Sequence, residues 1–299
     1  MTLSSIEQRH SGALLGLAIG DALGTSVEFL PRGTFSPINT LVGGGPFNLK
    51  PGQWTDDTSM ALCLAESLIE CNSFDAHDQM TRYLKWWKHG YLSSTGKCFD
   101  IGKTTKDALS RFVDSDDPYS GSIDPISAGN GSLMRLAPVV LYFYPSEVDA
   151  IHYAGESSRT THGAPEAIEC CQLLASVLVK AINGKEKSVV LDSSTLPFSK
   201  PKVKALAEGQ YKTKTVSQIQ GSGYSVASLE AALWCFYNST SFREAVLMAA
   251  NLGDDADTTA AITGQIAGAF YGVDNIPTHW QNLLYQGNEI KDIAQKLLH

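Results

Sequence analysis

Two short segments, far apart in the chain, concentrate acids and hydroxyls where a loop meets a helix. The first reads Gly52-Gln53-Trp54-Thr55-Asp56-Asp57-Thr58-Ser59-Met60 and leads into a helix expected from about Ser59. The second reads Asn251-Leu252-Gly253-Asp254-Asp255-Ala256-Asp257-Thr258-Thr259-Ala260 and opens another Ala-rich helix. Capping explains one or two residues in each, because Asp and Thr satisfy free N–H groups at an N-terminus and acids favour the positive end of the dipole. It does not explain two acids between two threonines, or three acids within four residues. Crowded carboxylates repel by ~4 kcal/mol per pair at an effective dielectric near 20 and a separation of about 4 Å. A cation reverses that sign. Hard oxygen donors with no Cys or His pair beside them select Mg²⁺, Mn²⁺ or Ca²⁺ over Zn²⁺. Either segment alone reads as a cap; the two together favour a metal centre.

Other candidates have plainer readings beside the chemical one. Glu28 follows a Gly-flanked turn, where a lone acid is ordinarily solvated. Asp100, in Gly96-Lys97-Cys98-Phe99-Asp100-Ile101-Gly102, fits an N-cap for the next helix. Gly129-Asn130-Gly131-Ser132 is either a plain turn or a loop whose N–H groups reach ligand oxygens at a helix start. His162 reads as a packing histidine and Tyr224 as a core ring or a stacking platform. Trp54, Trp86, Trp87 and Trp234 belong to the core or its rim.

The elements that must position these groups are helical. Apolar residues recur at three- and four-residue steps over Ala13–Leu23, Ser59–Glu70, Thr81–His89, Thr104–Phe112, Met134–Tyr144, Ala164–Ile182, Ser225–Tyr237, Phe242–Asn251 and Thr258–Tyr271. Lys187–Leu191 (KSVVL) is the only short strand candidate. The expected fold is all-α, one multi-helix domain over residues 1–299, since the acidic segments must meet in space. A chain of 299 residues with 43% hydrophobic content builds a substantial core. Its net charge of −8, without a dense Lys/Arg run, argues against nucleic acid. The apolar stretch Gly12–Ile19 lacks a basic flank and a small-residue cleavage site, and no segment is long enough to span a membrane. Six cysteines without framework spacing point to free thiols and the cytoplasm. Lys185–Lys214, more polar and basic than its surroundings, reads as an exposed excursion.

Taken in order, Gly16-Leu17-Ala18-Ile19-Gly20-Asp21-Ala22-Leu23-Gly24, Glu28, Thr55-Asp56-Asp57-Thr58, Gly129-Asn130-Gly131-Ser132-Leu133-Met134-Arg135, Thr161-His162-Gly163, Gly223-Tyr224 and Asp255-Ala256-Asp257-Thr258 resemble the ADP-ribosylglycohydrolase family. The resemblance runs from about Gly12 to Gly272. It implies an all-α fold with a cleft holding two divalent cations, Mg²⁺ or Mn²⁺. Thr55, Asp56 and Asp57 would ligate from one side, Asp255, Asp257 and Thr258 from the other, with Asp254 left solvated. It implies that Glu28 lies over the metals and that Asp100 is an acid near the scissile bond. Gly129, Asn130, Gly131 and Ser132 would contact the diphosphate and its ribose, His162 the ligand, and Tyr224 the adenine. Gly163-Ala164 departs from family variants with a second histidine there.

The implied reaction is hydrolysis of the N-glycosidic bond between ADP-ribose and an arginine of a mono-ADP-ribosylated protein, reversing a modification made by an ADP-ribosyltransferase or toxin. Alternatives keep the metals but cleave an O-linked serine or ester bond, or keep the fold and block the transferase sterically, as an immunity protein would. A Mg²⁺ phosphohydrolase would instead need Lys50 or Arg135 beside the acidic loops.

Overall fold

A computed structural model describes residues 5–298. The described chain is helical throughout and contains no β-strand, only the isolated bridges Gly44↔Leu49 and Gly129↔Tyr224. Its helices are α1 (Ser5–Gly24), α2 (Asp56–Cys71), α3 (Ala76–His89), α4 (Lys103–Ser115), α5 (Ala137–Phe143), α6 (Glu147–Thr161), α7 (Pro165–Ile182), α8 (Lys187–Val190), α9 (Pro201–Ala207), α10 (Ser225–Tyr237), α11 (Phe242–Ala250), α12 (Ala256–Tyr271), α13 (Thr278–Leu283) and α14 (Gly287–Lys296). The all-α expectation holds. None of the described helices is long and apolar enough to cross a membrane.

The centre of the molecule is α1 laid antiparallel on α12. Glycine recurs every fourth residue along one face of α1, at positions 12, 16, 20 and 24, and meets Gly268, Gly264, Ala260 and Ala256 in turn. Residues four apart share a helix face, so this stripe lets the two backbones touch. A Cβ built on Gly16 would stand 2.2 Å from the Gly264 carbonyl oxygen, and one on Gly268 only 1.9 Å from that of Gly12. No side chain fits between the helices. Every residue of α1 from His10 to Gly24 is buried, because α2, α5, α7, α11, α13 and α14 also touch it. One continuous apolar core, from Ala13 to Leu297, surrounds the pair. The antiparallel arrangement brings the C-terminal end of α1, with Asp21 and the Glu28 turn, to the N-terminal end of α12.

Several expectations need correction. Lys187–Leu191 is not a strand: Val190 N–H bonds Glu186 O and Leu191 N–H bonds Lys187 O, each within a single turn. With no strand beside it to pair with, a β-branched run settles its N–H groups locally. The helix expected from Met134 begins at Ala137, after a turn in which the Leu133 and Met134 N–H groups both reach Asn130 O. Helix α6 was not anticipated, since its sequence is polar and its Val148 is exposed. The short helices α9, α13 and α14 also fall outside the anticipated periodicity. All six cysteines are free. Trp54, Trp86 and Trp234 are buried and Trp87 packs against the core from its edge.

Candidate metal centre

The two acidic segments do meet. Oxygens of Asp21, Asp57 and Asp257 lie within 4.8 Å of one another, and so do oxygens of Glu28, Asp100 and Asp257. Asp257 is therefore shared by two carboxylate clusters. Between them they draw on α1, the turn after it, α2, the loop before α4, and α12.

Capping does not account for either segment. Thr55 and Asp255 occupy the N-cap positions of α2 and α12, yet neither side chain caps its own helix. The cap of α2 comes from Asp21, a buried acid in the central helix α1. Its carboxylate accepts from Thr55 N–H (2.9 Å), Thr58 N–H (3.0 Å), Thr55 Oγ1 (3.0 Å) and Thr58 Oγ1 (2.7 Å). With its oxygens committed in this way, Asp21 positions the segment that carries Asp56 and Asp57. Thr55 Oγ1 also lies 3.3 Å from Asp257 Oδ2, and Thr258 Oγ1 donates to Asp57 Oδ1 (3.2 Å), tying the segments together.

Electrostatics makes the cluster costly as a purely structural device. Burial, and after it Asp100, pushes Glu28 up to about 9; burial, and after it Asp21, pushes Asp100 up to about 8. Asp56, Asp57 and Asp257 are driven well up by burial and then by neighbouring acids, Asp100 first for Asp56, Asp21 for Asp57 and Glu28 for Asp257. Burial alone would carry Asp21 further than about 6, but its four hydrogen bonds hold it back. Asp57 Oδ2 is buried without a hydrogen-bond partner. A buried, unpaired carboxylate oxygen among like charges is costly by itself and well placed as a hard-cation ligand. The residues present fit a divalent cation.

These groups floor a cavity of ≈ 800 Å³, a size suited to a nucleotide-like ligand. Its rim is built from Gly129, Asn130, Gly131, His162, Gly223 and the first turn of α4, Lys103–Thr105. Asn130 Nδ2 donates to Asp255 Oδ2 (2.7 Å) and to Ser228 Oγ (3.1 Å), while Asn130 N–H bonds Gly223 O. The loop thus carries a side chain that orients one of the acids. Asp254 is exposed; its backbone pairs with Phe29 and Leu30, pinning the Glu28 turn to the second acidic segment.

Comparison with known proteins agrees with this geometry. Residues 2–299 match the ADP-ribosylglycohydrolase family model. The chain is 46% identical to the ADP-ribosylarginine hydrolase Tri1 of Pseudomonas putida (strain GB-1), over 97% of this chain and 77% of the relative. It is 32% identical to the ADP-ribosyl-[dinitrogen reductase] glycohydrolase of Rhodospirillum rubrum, over 95% and 92% respectively. A solved structure described as an ADP-ribosylglycohydrolase-related protein complex superposes with a TM-score of 0.86 at 43% identity, covering 99% of this chain and 98% of that one. The chain belongs to the ADP-ribosylglycohydrolase family. Metal dependence is general to that family, in keeping with the carboxylate floor.

Against the ADP-ribosylglycohydrolase resemblance, most expected residues converge and two do not. Glu28, Asp56, Asp100, Gly129, Asn130, Gly131, His162, Asp255, Asp257 and Thr258 all line the cavity, with Thr55 and Asp57 packed beneath. Ser132 does not reach it: its buried hydroxyl is 2.8 Å from Ser158 Oγ and accepts from Cys171 Sγ. The Tyr224 ring faces an adjoining pocket of ≈ 630 Å³ with Ile126, Pro165 and Lys202. There its hydroxyl bonds Glu166 and accepts from Lys202 Nζ (3.0 Å). Asp100 is not an N-cap, because Gly102 holds that position of α4 and Asp100 adopts a left-handed backbone. Nor do the Gly129 loop N–H groups form a helix N-terminus. Besides the acidic starts of α2 and α12, the helix end that opens onto the cavity is that of α4. Sequence reasoning missed Asp21 as a functional residue; a lone acid within the apolar stretch of residues 12–24 was the available signal. Of the two cations considered for a phosphohydrolase, Lys50 is exposed and outside the cavity lining and Arg135 is buried behind it; the lysine that does line the cavity, Lys103, comes from the first turn of α4 and not from either acidic segment.

Proposed function

We propose that this chain hydrolyses the N-glycosidic bond between ADP-ribose and an arginine side chain of a mono-ADP-ribosylated protein, using two divalent cations, Mg²⁺ or Mn²⁺. The observation that carries the reading is Asp257, shared between two carboxylate clusters at the floor of a nucleotide-sized cavity, in a chain 46% identical to an ADP-ribosylarginine hydrolase. Thr55, Asp56 and Asp57 from one segment and Asp255, Asp257 and Thr258 from the other would hold the ions. When bound, such cations supply Lewis-acid activation of water and orientation of sugar hydroxyls.

The remaining steps belong to the chain's own groups. Guanidine leaves readily only when protonated, and cleavage passes through an oxocarbenium-like transition state. Glu28 and Asp100, carboxyls that border the cavity from two different loops, are in position to move that proton. Gly129, Asn130 and Gly131, which allow close backbone approach, together with the positive end of α4, receive the diphosphate. The adenine end runs along Gly223 toward Tyr224. Free thiols throughout the described chain suit a reducing compartment, and we place the protein in the cytoplasm.

The test is release of free ADP-ribose from an arginine-ADP-ribosylated protein with Mg²⁺, with Mn²⁺ and with EDTA, and a serine-linked substrate in parallel. Metal-dependent release from arginine alone is expected. Release from serine alone would move the reading to the O-linked bond. Silence on both, with cation binding intact, would move it to a protein that obstructs an ADP-ribosyltransferase.

A further inference from the structure

Behind the cavity wall lies a buried cation that the proposed reaction does not use. Arg135 is completely buried, with no carboxylate partner among the described residues. Its guanidinium lies 4.5 Å over the Tyr83 ring. Its Nη2 donates to Thr161 Oγ1 (2.7 Å), Thr160 Oγ1 (3.2 Å) and Ser157 O (3.3 Å). Thr161 Oγ1 in turn lies 2.8 Å from Nδ1 of the neighbouring His162.

Hydrogen-bond polarity runs one way through this chain. A guanidinium has five N–H donors and no acceptor, so Thr161 Oγ1 must accept from it. The hydroxyl then has one proton to give, and His162 Nδ1 is the acceptor within reach. The opposite arrangement, with Nδ1 protonated, would leave the buried Thr161 O–H without an acceptor, which is the costlier outcome. The other side of the ring faces the loop that rims the cavity. A Cβ on Gly131 would stand 2.8 Å from His162 Cε1 and 3.1 Å from Nε2, and one on Gly129 would stand 3.3 Å from Nε2. Only glycine lets the loop lie this close to the imidazole.

We infer that Arg135 and Thr161 are positioning residues that fix His162 as its Nε2-protonated tautomer, so that the ring offers the cavity a neutral N–H donor for an oxygen of the ADP-ribosyl group. Burial and the Arg135 charge, which hold His162 down at about 3, keep the ring uncharged throughout the working range of pH. A neutral donor suits a ligand whose anionic diphosphate must bind and then leave, because it orients an oxygen without adding a full charge. The inference rests on the cavity taking ADP-ribose, but the tautomer itself is read without substrate.

The experiment is a ¹⁵N–¹H multiple-bond correlation spectrum of the full chain with Mg²⁺ at neutral pH. His162 is assigned by the signals that vanish in His162→Gln. The wild type should show Nδ1 unprotonated and Nε2 protonated. Thr161→Val should give a mixture of tautomers and raise KM for an ADP-ribosylarginine substrate about tenfold with a much smaller change in kcat. Thr161→Ser should restore both. A protonated Nδ1 in the wild type would overturn the inference, as would Thr161→Val with wild-type tautomer and KM. If Thr161→Val does not fold, the wild-type spectrum decides alone. A protein with the expected tautomer that releases no ADP-ribose would refute the proposed reaction and leave the relay standing.

Discussion

The two acidic segments look alike in sequence and are held in opposite ways. Thr55–Thr58 is buried, and its orientation comes from below, where Asp21 reaches out of α1 to grip two backbone N–H groups and two hydroxyls. Asp254–Thr258 is partly open, and its orientation comes from the rim, through Asn130 on Asp255 and the backbone pairing of Asp254 with residues 29–30. One segment is anchored in the core; the other is tied to the loops that a ligand must pass. A change beneath the first should therefore be read as stability and metal affinity, and a change around the second as ligand handling.

The largest expected effect removes the side chain on which both segments depend. Asp257→Ala takes away the carboxylate common to the two clusters, and turnover should vanish along with cation binding by titration calorimetry. Full activity of this variant would end the two-cluster reading. Next comes Asp21→Ala, which strands three buried donors, Thr55 N–H, Thr58 N–H and Thr58 Oγ1, and should cost about 3 kcal/mol or more of stability. Its melting temperature should fall even in EDTA, a loss that a simple ligand replacement would not produce.

A third effect distinguishes the acid floor from the rest of the molecule by pH. The folded-state values of Asp100 (about 8) and Glu28 (about 9) are raised above their ordinary 3.8 and 4.5. The folded state therefore holds protons that the unfolded state has released. The stabilisation is complete below the unfolded values and is lost as pH rises through the folded ones. In EDTA, the melting temperature should fall progressively from about pH 4 to about pH 9, between the unfolded and the folded values, and level off above. With cation bound, this fall should disappear. A flat metal-free profile would show that the carboxyls are already ionised and relaxed by water. The smallest effect is Asp254→Asn: an exposed side chain whose backbone does the holding should change stability by no more than about 0.5 kcal/mol in urea denaturation.

How much of this was legible in the chain follows from how local each signal is. Asp56-Asp57 and Asp255-Ala256-Asp257 stand out because charge density is a property of neighbours in sequence. The long Ala- and Leu-rich helices are legible for the same reason, their apolar faces repeating within a few turns. Helix α6 escaped because much of its surface is polar, and its inner face packs small residues, Ala150, Ala154 and Gly155, that carry little periodic weight. Asp21 escaped because its purpose lies in a segment that sequence gives no reason to place beside it. The placing of Tyr224 in the adjoining pocket with Glu166 and Lys202, and the turning of the Ser132 hydroxyl toward Ser158, depend on partners brought together only by the fold.

The backbone contact between α1 and α12 has a consequence for how this protein can change over time. Where two helices are spaced by side chains, an exchange of one apolar residue for another alters their separation, and everything mounted on them drifts with it. Here peptide atoms set the spacing at Gly12, Gly16 and Gly20, and the acids from Asp21 onward and at Asp255 and Asp257 sit at the end of that ruled edge. The pair works as a gauge block. The surrounding core is free to diverge residue by residue without moving the distance between the two halves of the ion cradle. The same arrangement leaves the crossing no tolerance of its own: a single added methyl there would be read out at the far end, where the cations bind.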